Sequence, residues 1–441
     1  MPAFSADHLV TVDANRTVKD KLIGAMVRVS TRRRISVTDL VHPRQAFFGR
    51  TRTDIEIPPE RMQAMMAGTG FHDLFGHAIS TEEYVEQLVE FEGIVGKVDI
   101  FEHAPLELKT TGLIPADPLG SRASQVEQLA MYCVMTGKPL GHLLYYQRAE
   151  YGRAPKFRAF DVEIVAGEPI VREMRRRRDL LIAALDRNDP SSLPRCEWLE
   201  KGCIYAEICG CGALESLPRA VNPSTVRVME KPALAENLAA KIRDLPEPDG
   251  EMRYILNDLV FPRRAALRRD GVVVSREDED DLTSKLEWMQ RRGFLDVLTD
   301  TVWYGIPGAS KRHKTVIGPI KTSILLFEGF PTLIRKTDRK ELLLRERLVV
   351  DAPYYTDRLA MECALAGVER GRLIVYYARL DDKFMVYDIW FKDLDGVRVE
   401  MQKRLALLIG GAPVKDLPRC EPDWMTRLCD FGDACACREV S

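Results

Sequence analysis

The sequence contains one cysteine-rich motif twice, and this repetition restricts the possible folds more than any other feature. Eight of the ten cysteines form two groups with the spacings C-x6-C-x5-C-x-C and C-x8-C-x5-C-x-C. The two groups consist of Cys196, Cys203, Cys209 and Cys211, and of Cys420, Cys429, Cys435 and Cys437. The same five letters, Leu-Pro-Arg-Cys-Glu, introduce each group, from Leu193 and from Leu417, at an offset of 417 − 193 = 224 residues.

Three more blocks of sequence return in the same order. Residues 39–44 (DLVHPR) return as 258–263 (DLVFPR), 70–73 (GFHD) as 293–296 (GFLD), and 129–133 (LAMYC) as 359–363 (LAMEC). Blocks in one order with nearly constant offsets predict an internal duplication, in which each repeat of about 200 residues is large enough to be a domain. We therefore expect two domains, residues 1–218 and 226–441, separated where Pro218, Asn222 and Pro223 interrupt regular structure.

The composition is typical of a soluble globular protein with more than one domain. The chain has 441 residues, of which 46% are hydrophobic, and 64 Lys and Arg against 66 Asp and Glu leave a net charge of -2. No apolar run reaches the roughly 18 residues of a membrane span, and polar residues interrupt the N-terminus, where a secretion signal is apolar. We expect a cytoplasmic protein with no membrane role, whose cysteines serve metal, cluster or redox chemistry rather than disulfides.

The pattern of apolar residues in the first repeat predicts an α/β layout with a mixed sheet. Residues 63–78 have the spacing of a helix, and residues 80–88 continue it or start another. Two strands follow, at 94–101 and 106–109, joined by a hairpin centred on His103. Since 99 + 107 = 2 × 103, this hairpin puts Asp99 opposite Glu107, on the same face as Lys109. A helix at 124–136 and strands at 143–147 and 157–165 complete the pattern.

The residues of this hairpin suit one kind of chemistry. Two carboxylates that converge beside a lysine form an oxygen-rich pocket that is suited to Mg2+ or Mn2+. The ammonium group then lies close to an attacking water or to the charge that develops on a phosphate. Phosphodiester hydrolysis needs these parts, although each of Asp99, Glu107 and Lys109 alone would be an ordinary surface charge of a strand.

The wider pattern of motifs resembles the PD-(D/E)XK nuclease superfamily. Within its RecB-like branch, the chain is most similar to the CRISPR-associated iron-sulfur exonucleases and the related helicase-nucleases. The motifs that carry the resemblance are Gly68-Thr69-Gly70-Phe71-His72, Gly96-Lys97-Val98-Asp99, Glu107-Leu108-Lys109-Thr110 and Gln128-Leu129-Ala130-Met131-Tyr132, followed by the first cysteine group. These motifs lie in order between Val37 and Cys211, which is about half of the chain.

The resemblance implies a fold and a role for each motif residue. It implies two tandem restriction-endonuclease-like domains, each a mixed β-sheet flanked by helices with a C-terminal cysteine cluster. His72, Asp99, Glu107 and the carbonyl group of Leu108 would bind one or two divalent cations, and Lys109 would orient or activate the water. Gln128 and Tyr132, which lie at i and i+4 of a helix, would contact the nucleic acid or position Lys109 and the scissile phosphate. The implied reaction is cleavage of single-stranded or frayed DNA ends, by an exonuclease.

The cysteine groups imply a cofactor in each repeat. In the resembled family, one ligand of an iron-sulfur cluster comes from an upstream C-P-R segment and three come from the C-terminal end. Here the upstream segments read His42-Pro43-Arg44 and Phe261-Pro262-Arg263, without cysteine, whereas each C-terminal group has four. We therefore expect a [4Fe-4S] cluster bound by each group, with zinc as the alternative. His42 is an alternative fourth ligand in the first repeat, but Phe261 cannot bind a metal.

The second repeat lacks the acidic motifs. The shared blocks align His72 with Leu295, Gln128 with Arg358, and Tyr132 with Glu362. Counting back from Lys336-Thr337 puts Ile334 at Glu107 and Leu326 at Asp99, unless Glu328 is a displaced acid. Because leucine and isoleucine cannot bind a hard cation, this repeat is predicted to be a degenerate nuclease that binds DNA, docks a partner or packs on the first repeat. The basic residues of the same region form either a phosphate-binding patch or a solvated face: Arg335, Lys336, Arg339 and Lys340.

Two functions of different kinds remain open at this point. The first is a metal-dependent iron-sulfur nuclease that acts on DNA in repair, recombination or CRISPR-type processing. The second is an inactive or reused iron-sulfur scaffold that binds nucleic acid or a partner, including a role in sulfur chemistry on RNA. The chain has no G-x-x-x-x-G-K-[ST] motif, so a helicase, like a CRISPR or repair protein, would be a separate partner.

Overall fold

We analysed a computed structural model of the chain, which describes residues 4–26, 34–55, 57–147, 156–196, 203–211, 219–245, 254–272, 281–306, 311–420, 429, 431–435 and 437. All ten cysteines belong to these residues. The α-helices are α1 (Arg16–Met26), α2 (Val37–Val41), α3 (Pro43–Thr51), α4 (Pro59–Ile79), α5 (Pro118–Ser121), α6 (Ala123–Thr136), α7 (Gly167–Arg187), α8 (Ala206–Cys209), α9 (Pro232–Arg243), α10 (Leu256–Val260), α11 (Pro262–Arg269), α12 (Asp281–Gly305), α13 (Leu348–Asp351), α14 (Pro353–Ala366) and α15 (Leu394–Ile409).

The β-strands form two separate mixed sheets. They are β1 (Leu9–Ala14), β2 (Ile35–Ser36), β3 (Val85–Phe91), β4 (Ile94–Phe101), β5 (Pro105–Thr111), β6 (Leu140–Gln147), β7 (Lys156–Ile164), β8 (Val226–Glu230), β9 (Lys311–Ile317), β10 (Ile320–Phe327), β11 (Phe330–Thr337), β12 (Arg370–Tyr377) and β13 (Phe384–Phe391). With helices packed on the sheets, the fold is mixed α/β, as predicted. No helix in the described ranges is long and apolar enough to cross a membrane.

The chain divides into two compact units, and each takes its residues from separate segments. Unit I consists of Val27–Leu245 and Glu279–Val297, and unit II consists of Met1–Met26, Pro246–Asp278 and Leu298–Ser441. Residue 218, where the first predicted domain ends, lies outside the described residues. The turn that begins at Asn222 leads directly into β8.

The sheet of unit I has the strand order β2-β4-β5-β6-β7-β8, and β3 also pairs with β4. Strands β5 and β6 are parallel, whereas β4 and β5, β6 and β7, and β7 and β8 are antiparallel. The apolar side of α6 packs on this sheet, where Val126 and Leu129 are fully buried with Leu143. Gly141 lets the helix approach closely, because a Cβ atom at this position would lie 2.6 Å from the sulfur of Cys133.

The sheet of unit II has the order β1-β13-β12-β11-β10-β9. Strands β11 and β12 are parallel, and the other neighbours in this sheet are antiparallel. Helix α14 packs on the sheet through Leu359 and Cys363, which are fully buried. A Cβ atom on Gly371 would lie 2.7 Å from the sulfur of Cys363, so a glycine is needed here as well.

One predicted element of unit I is wrong. Residues 80–88 were expected to be helical, but β3 begins at Val85 and pairs with β4. Within β3, burial alternates along the chain from Val85 onward, while the intervening Leu88 is 79% exposed. This period of two residues belongs to a strand. The exposed leucine disguised the alternation in the sequence.

Candidate functional site

The β4–β5 hairpin brings the predicted acidic residues together. Ile100 pairs with Leu106 and Phe101 with Pro105, and both pairs sum to 206. The predicted hairpin centred on His103 is therefore confirmed. Continued by one residue on each strand, this register sets Asp99 across from Glu107.

Asp99 has partners that favour its charged form. Its Oδ2 atom accepts a hydrogen bond from the backbone N–H of Leu108 at 2.8 Å, and it lies 3.6 Å from His72 Nδ1. Burial acts to raise the pKa of Asp99. The hydrogen bond and charge of His72, the charge of Lys109 and the N–H of Leu108 together lower it by more, so the net shift is downward. His72 is on α4, which thus contributes to the site.

Glu107 has an environment that favours its neutral form. Its side chain is only 3% exposed, and Oε1 accepts a hydrogen bond from Lys109 Nζ at 2.5 Å. The other oxygen, Oε2, is buried without a hydrogen-bond partner in the described part of the chain. Burial and the nearby charge of Asp99 raise the pKa of Glu107 to about 7, against the opposing effect of Lys109. An unsatisfied buried carboxylate oxygen is costly for folding, and a bound cation would remove that cost.

Helix α6 holds the lysine in place. Lys109 Nζ also donates to Gln128 Oε1 at 2.9 Å, and Gln128 Nε2 donates to the hydroxyl of Tyr132 at 3.2 Å. Burial, followed by the charge of Glu107, raises the pKa of Tyr132, which therefore stays neutral. The tyrosine ring lies against β4 at Gly96, where a Cβ atom would come within 2.6 Å of it.

The structure thus connects the predicted site residues of unit I in two neighbouring chains of contacts. One runs from His72 to Asp99, and the other from Glu107 through Lys109 and Gln128 to Tyr132. Leu108 donates its N–H to Asp99, and its side chain is 1% exposed. Metal binding by the Leu108 carbonyl group stays a prediction.

His42 lies near this cluster, where no sequence pattern predicted it. Its Nδ1 atom is buried with no hydrogen-bond partner in the described ranges. Burial, and then the positive charges of Lys109, Arg177 and Arg61, lower the pKa of His42 to about 4, so the imidazole is neutral at pH 7. The residues that follow it contact the cysteines instead, which gives no support to His42 as a ligand of the first cysteine group.

The first cysteine group lies at the start of α3. The backbone N–H of Gln45 donates to Cys196 Sγ at 3.4 Å, and Arg44 Nε donates to Cys209 Sγ at 3.4 Å. Cys209 Sγ and Cys211 Sγ are 2.7 Å apart. A hydrogen bond from Cys196 and the charge of Arg44 contribute to lowering the pKa of Cys211 to about 5.

The second group has a similar environment at the start of α11. Arg263 Nη1 donates to the Cys435 carbonyl group at 3.3 Å and lies 3.9 Å from Cys437 Sγ. A hydrogen bond from Cys420 is the largest cause that lowers the pKa of Cys437, to about 5. Both groups therefore combine thiols with a buried guanidinium group, which stabilises thiolates.

The thiol, carboxylate and imidazole groups of these sites are common metal ligands, but the described side chains are not arranged in a metal-binding geometry. Among the described residues, no three His, Cys, Asp or Glu side chains are arranged to hold a metal ion. Two thiolates on one tetrahedral zinc ion lie roughly 3.8 Å apart, for Zn–S bonds of about 2.3 Å, so Cys209 and Cys211 would have to separate by about 1 Å. At the acidic cluster, Glu107 would have to release or share its contact with Lys109.

Matching the two sheets at Gly141 and Gly371 puts apolar residues of unit II at the positions of Asp99 and Glu107, but they are not the residues predicted. Gly141 and Gly371 make the same close approach to a helix cysteine. Next to these glycines, His142 pairs with Leu106 in unit I, and Arg372 pairs with Thr332 in unit II. The residue after each of these parallel-strand partners is Glu107 in β5 and Leu333 in β11.

The sequence count from Lys336-Thr337 was therefore wrong by one residue. Leu333, not Ile334, stands where β5 has Glu107, and Arg335, not Lys336, stands where β5 has Lys109. In the β10–β11 hairpin, Leu326 pairs with Pro331, so the numbers of paired residues sum to 657. Continued along the strands, this register places Ile324 opposite Leu333, where unit I has Asp99 opposite Glu107. The backbone hydrogen bonds of the parallel pair fix the register, and the repeated Lys-Thr dipeptide does not.

Glu328 is not a displaced acid of this cluster. It lies in the hairpin turn with a positive φ of 51° and a side chain that is 43% exposed. Its Oε2 atom pairs with Arg372 Nη1 at 2.8 Å.

Comparison with known proteins identifies no family. No family model matches the chain, and no curated protein matches it. A solved structure described as "Crystal structure of SSO0001" is similar to the chain at 22% sequence identity, with a TM-score of 0.30. The similarity covers 47% of this chain and 96% of that one.

Proposed function

We propose that unit I is a metal-dependent nuclease domain of the PD-(D/E)XK type, which hydrolyses phosphodiester bonds of DNA. The observation that carries the proposal is the Oε2 atom of Glu107, which is buried without a hydrogen-bond partner among the described residues. It lies in a cluster with Asp99 and Lys109, whose charges act on Glu107. Buried titratable groups with opposite pKa shifts are typical of catalytic sites.

Each residue of the cluster has a task in this chemistry. Asp99, Glu107 and His72 would hold Mg2+ or Mn2+, which supplies Lewis-acid activation of water and phosphate. Lys109 would hold the attacking water or the phosphate by its ammonium group. Gln128, which already bonds to Lys109, would keep that ammonium in position after Glu107 turns to the cation.

We also propose that unit II is a degenerate copy of the same restriction-endonuclease-like fold. The order of antiparallel and parallel pairs from β8 to β4 in unit I equals that from β1 to β10 in unit II. The repeated sequence blocks agree with this duplication.

The cysteine groups complete the proposal. Each group would bind a [4Fe-4S] cluster, or zinc as the alternative, with Arg44 and Arg263 as nearby positive charges. The protein would act on single-stranded or frayed DNA ends in the cytoplasm. A helicase or a repair or CRISPR protein would be its partner.

The test is degradation of end-labelled single-stranded and duplex DNA by anaerobically purified protein with Mn2+ or Mg2+. Glu107→Gln and Lys109→Ala should each lower the rate by about 100-fold or more. His103→Ala is the matched control, since this side chain is 90% exposed in the turn of the same hairpin. An inactive wild type, or Glu107→Gln with the activity of the wild type, contradicts the proposal.

A scaffold without nuclease activity is the second candidate. The apolar Leu333 and Ile324 favour it for unit II, because that unit has no carboxylates at these positions. The two candidates differ in one result. A scaffold binds nucleic acid or a partner with its clusters intact, but cuts no strand at any metal concentration.

A further inference from the structure

Unit II contains a cluster of arginines where unit I has its acidic site. Arg335 of β11 faces α14, where Arg358 and Glu362 lie one turn apart. Arg358 Nε donates to Glu362 Oε1 at 2.8 Å, and their side chains are 16% and 6% exposed. The carboxylate of Glu362 is thus already paired with one of the two guanidinium groups.

Arg335 is not neutralised by an ion pair. Its Nη1 atom donates a hydrogen bond to the carbonyl oxygen of Ile334 at 3.0 Å, and it forms no salt bridge with a carboxylate in the described ranges. Burial and then the like charge of Arg358 lower the pKa of Arg335, against the opposing charge of Glu362. Arg335 is half-buried, and a half-buried cation beside a second cation is stabilised when an anion joins them.

The groups around the pair suit a phosphate. Tyr354 and Tyr355 lie in the first turn of the 14-residue helix α14, whose N-terminal end favours anions. Arg339 is close to both tyrosines, and Tyr354 is half-buried. Two guanidinium forks can bind phosphate oxygens in a bidentate way, and an accessible tyrosine ring can stack on a base.

We propose that Arg335 and Arg358 form a metal-independent binding site for a backbone phosphate of single-stranded nucleic acid. The guanidinium groups take the place that cations have in a metal-dependent site. The site therefore binds a strand but does not activate water, because its carboxylate, Glu362, is paired with Arg358. This proposal does not depend on cleavage by unit I.

The first experiment measures binding of a fluorescent single-stranded DNA oligonucleotide to the full chain in EDTA, over a range of salt concentrations. Arg335→Gln should weaken binding by about 10-fold and reduce the salt slope by about one. Lys340→Gln, which removes an exposed charge of the same region, should change the affinity by less than about twofold. Equal affinity and equal salt slope for Arg335→Gln and the wild type would overturn the proposal.

A second measurement separates binding from folding. Without an anion, Arg335→Gln should melt at the same temperature as the wild type or higher, because it removes a half-buried charge that repels Arg358. Inorganic phosphate should raise the melting temperature of the wild type but not that of the variant. A variant that melts lower and is stabilised by phosphate as much as the wild type would show a purely structural arginine.

Two further outcomes are informative. If phosphate stabilisation depends on Arg335 but DNA affinity does not, the site takes a small anion and the assignment to a strand is wrong. Arg335→Lys keeps the charge without the planar fork, and it should bind DNA with an affinity between those of the wild type and Arg335→Gln. Arg335→Lys supplies the test if Arg335→Gln fails to fold. If Arg335→Lys binds DNA as tightly as the wild type, the bidentate contact is contradicted.

Discussion

At the scale of single residues, two neighbouring carboxylates of unit I have different environments. Asp99 receives a backbone N–H and a histidine, whereas one oxygen of Glu107 has no partner in the described ranges. The pKa of Asp99 is lowered and that of Glu107 is raised to about 7. Because like charges at close range resist simultaneous ionisation, one proton is expected to stay in this pair below neutral pH.

This difference predicts a pH-dependent stability that Glu107 controls. A carboxyl group with a raised pKa binds more protons in the folded than in the unfolded chain, so stability falls as the pH rises from about 4.5 to about 7. In the presence of a metal chelator at pH 8, the free energy of unfolding of Glu107→Gln should therefore exceed that of the wild type by on the order of 3 kcal/mol. The advantage should shrink towards pH 4.5, where the wild-type carboxyl group is neutral. Thermal melts at both pH values test this, and a difference that does not change with pH contradicts it.

At the scale of elements, the starts of α3 and α11 are tied to the cysteine groups. The N–H of Gln45 contacts Cys196, and the N–H of Arg264 contacts Cys420. Arg44 and Arg263, each 6% exposed, connect these helices to backbone carbonyl groups beside the cysteines. A helix N-terminus and a guanidinium group both favour negatively charged sulfur.

Arg44→Met should therefore release the cofactor of the first cysteine group. Purified protein is expected to contain about half of the wild-type iron or zinc, since Arg263 and the second group are unchanged. Arg52→Met is the control, because this arginine at the end of α3 is 41% exposed. Elemental analysis and visible absorption give the metal content, and an unchanged content in Arg44→Met sinks the prediction.

Substituting alanine for glycine should have opposite effects on stability at the contact between α6 and β6 and at an open position of α1. Gly141→Ala would force a Cβ atom against Cys133 and Leu129, at 2.6 and 2.8 Å, and should destabilise unit I by about 1–3 kcal/mol. Gly24→Ala, within α1, meets nothing within 4 Å and should stabilise by up to about 1 kcal/mol. Denaturant unfolding of both variants measures the free energies, and effects of equal sign contradict the close approach.

At the scale of the whole molecule, each sheet is completed by an edge strand from a different part of the sequence. In unit I, β8 follows the first cysteine group and pairs with β7. In unit II, β1 comes from the start of the chain and pairs with β13. The two units therefore differ in their boundaries from the two repeats of the sequence.

This arrangement predicts which fragments of the chain are soluble. A fragment of residues 34–245 keeps β8 and α9, whereas residues 34–218 leave the edge of β7 unpaired. The longer fragment should be more soluble and melt at a higher temperature, since an open edge promotes aggregation. Both should be less stable than the full chain, because Leu286 and Met289 of α12 belong to the core of unit I. Equal solubility and melting of the two fragments would show that β8 is dispensable.

Much of the site was predictable because its information is local. The distance along the chain between Asp99 and Glu107 fixes a hairpin register, and the i, i+4 spacing of Gln128 and Tyr132 fixes one face of a helix. The contact of Lys109 with Gln128 and the position of His42 required the packing of a helix on a sheet. No local pattern reports such long-range contacts.

The sequence by itself determined the mixed α/β character, the acidic hairpin and the two cysteine groups, because these depend on alternation, turn length and spacing. The tertiary structure alone decided which residue of β11 corresponds to Glu107, since parallel strands are joined by hydrogen bonds and not by a short turn. It also decided that one buried oxygen of Glu107 has no hydrogen-bond partner among the described residues and that Arg335 lies beside a second cation, Arg358. Burial and pairing of charges arise only when distant segments exclude water together.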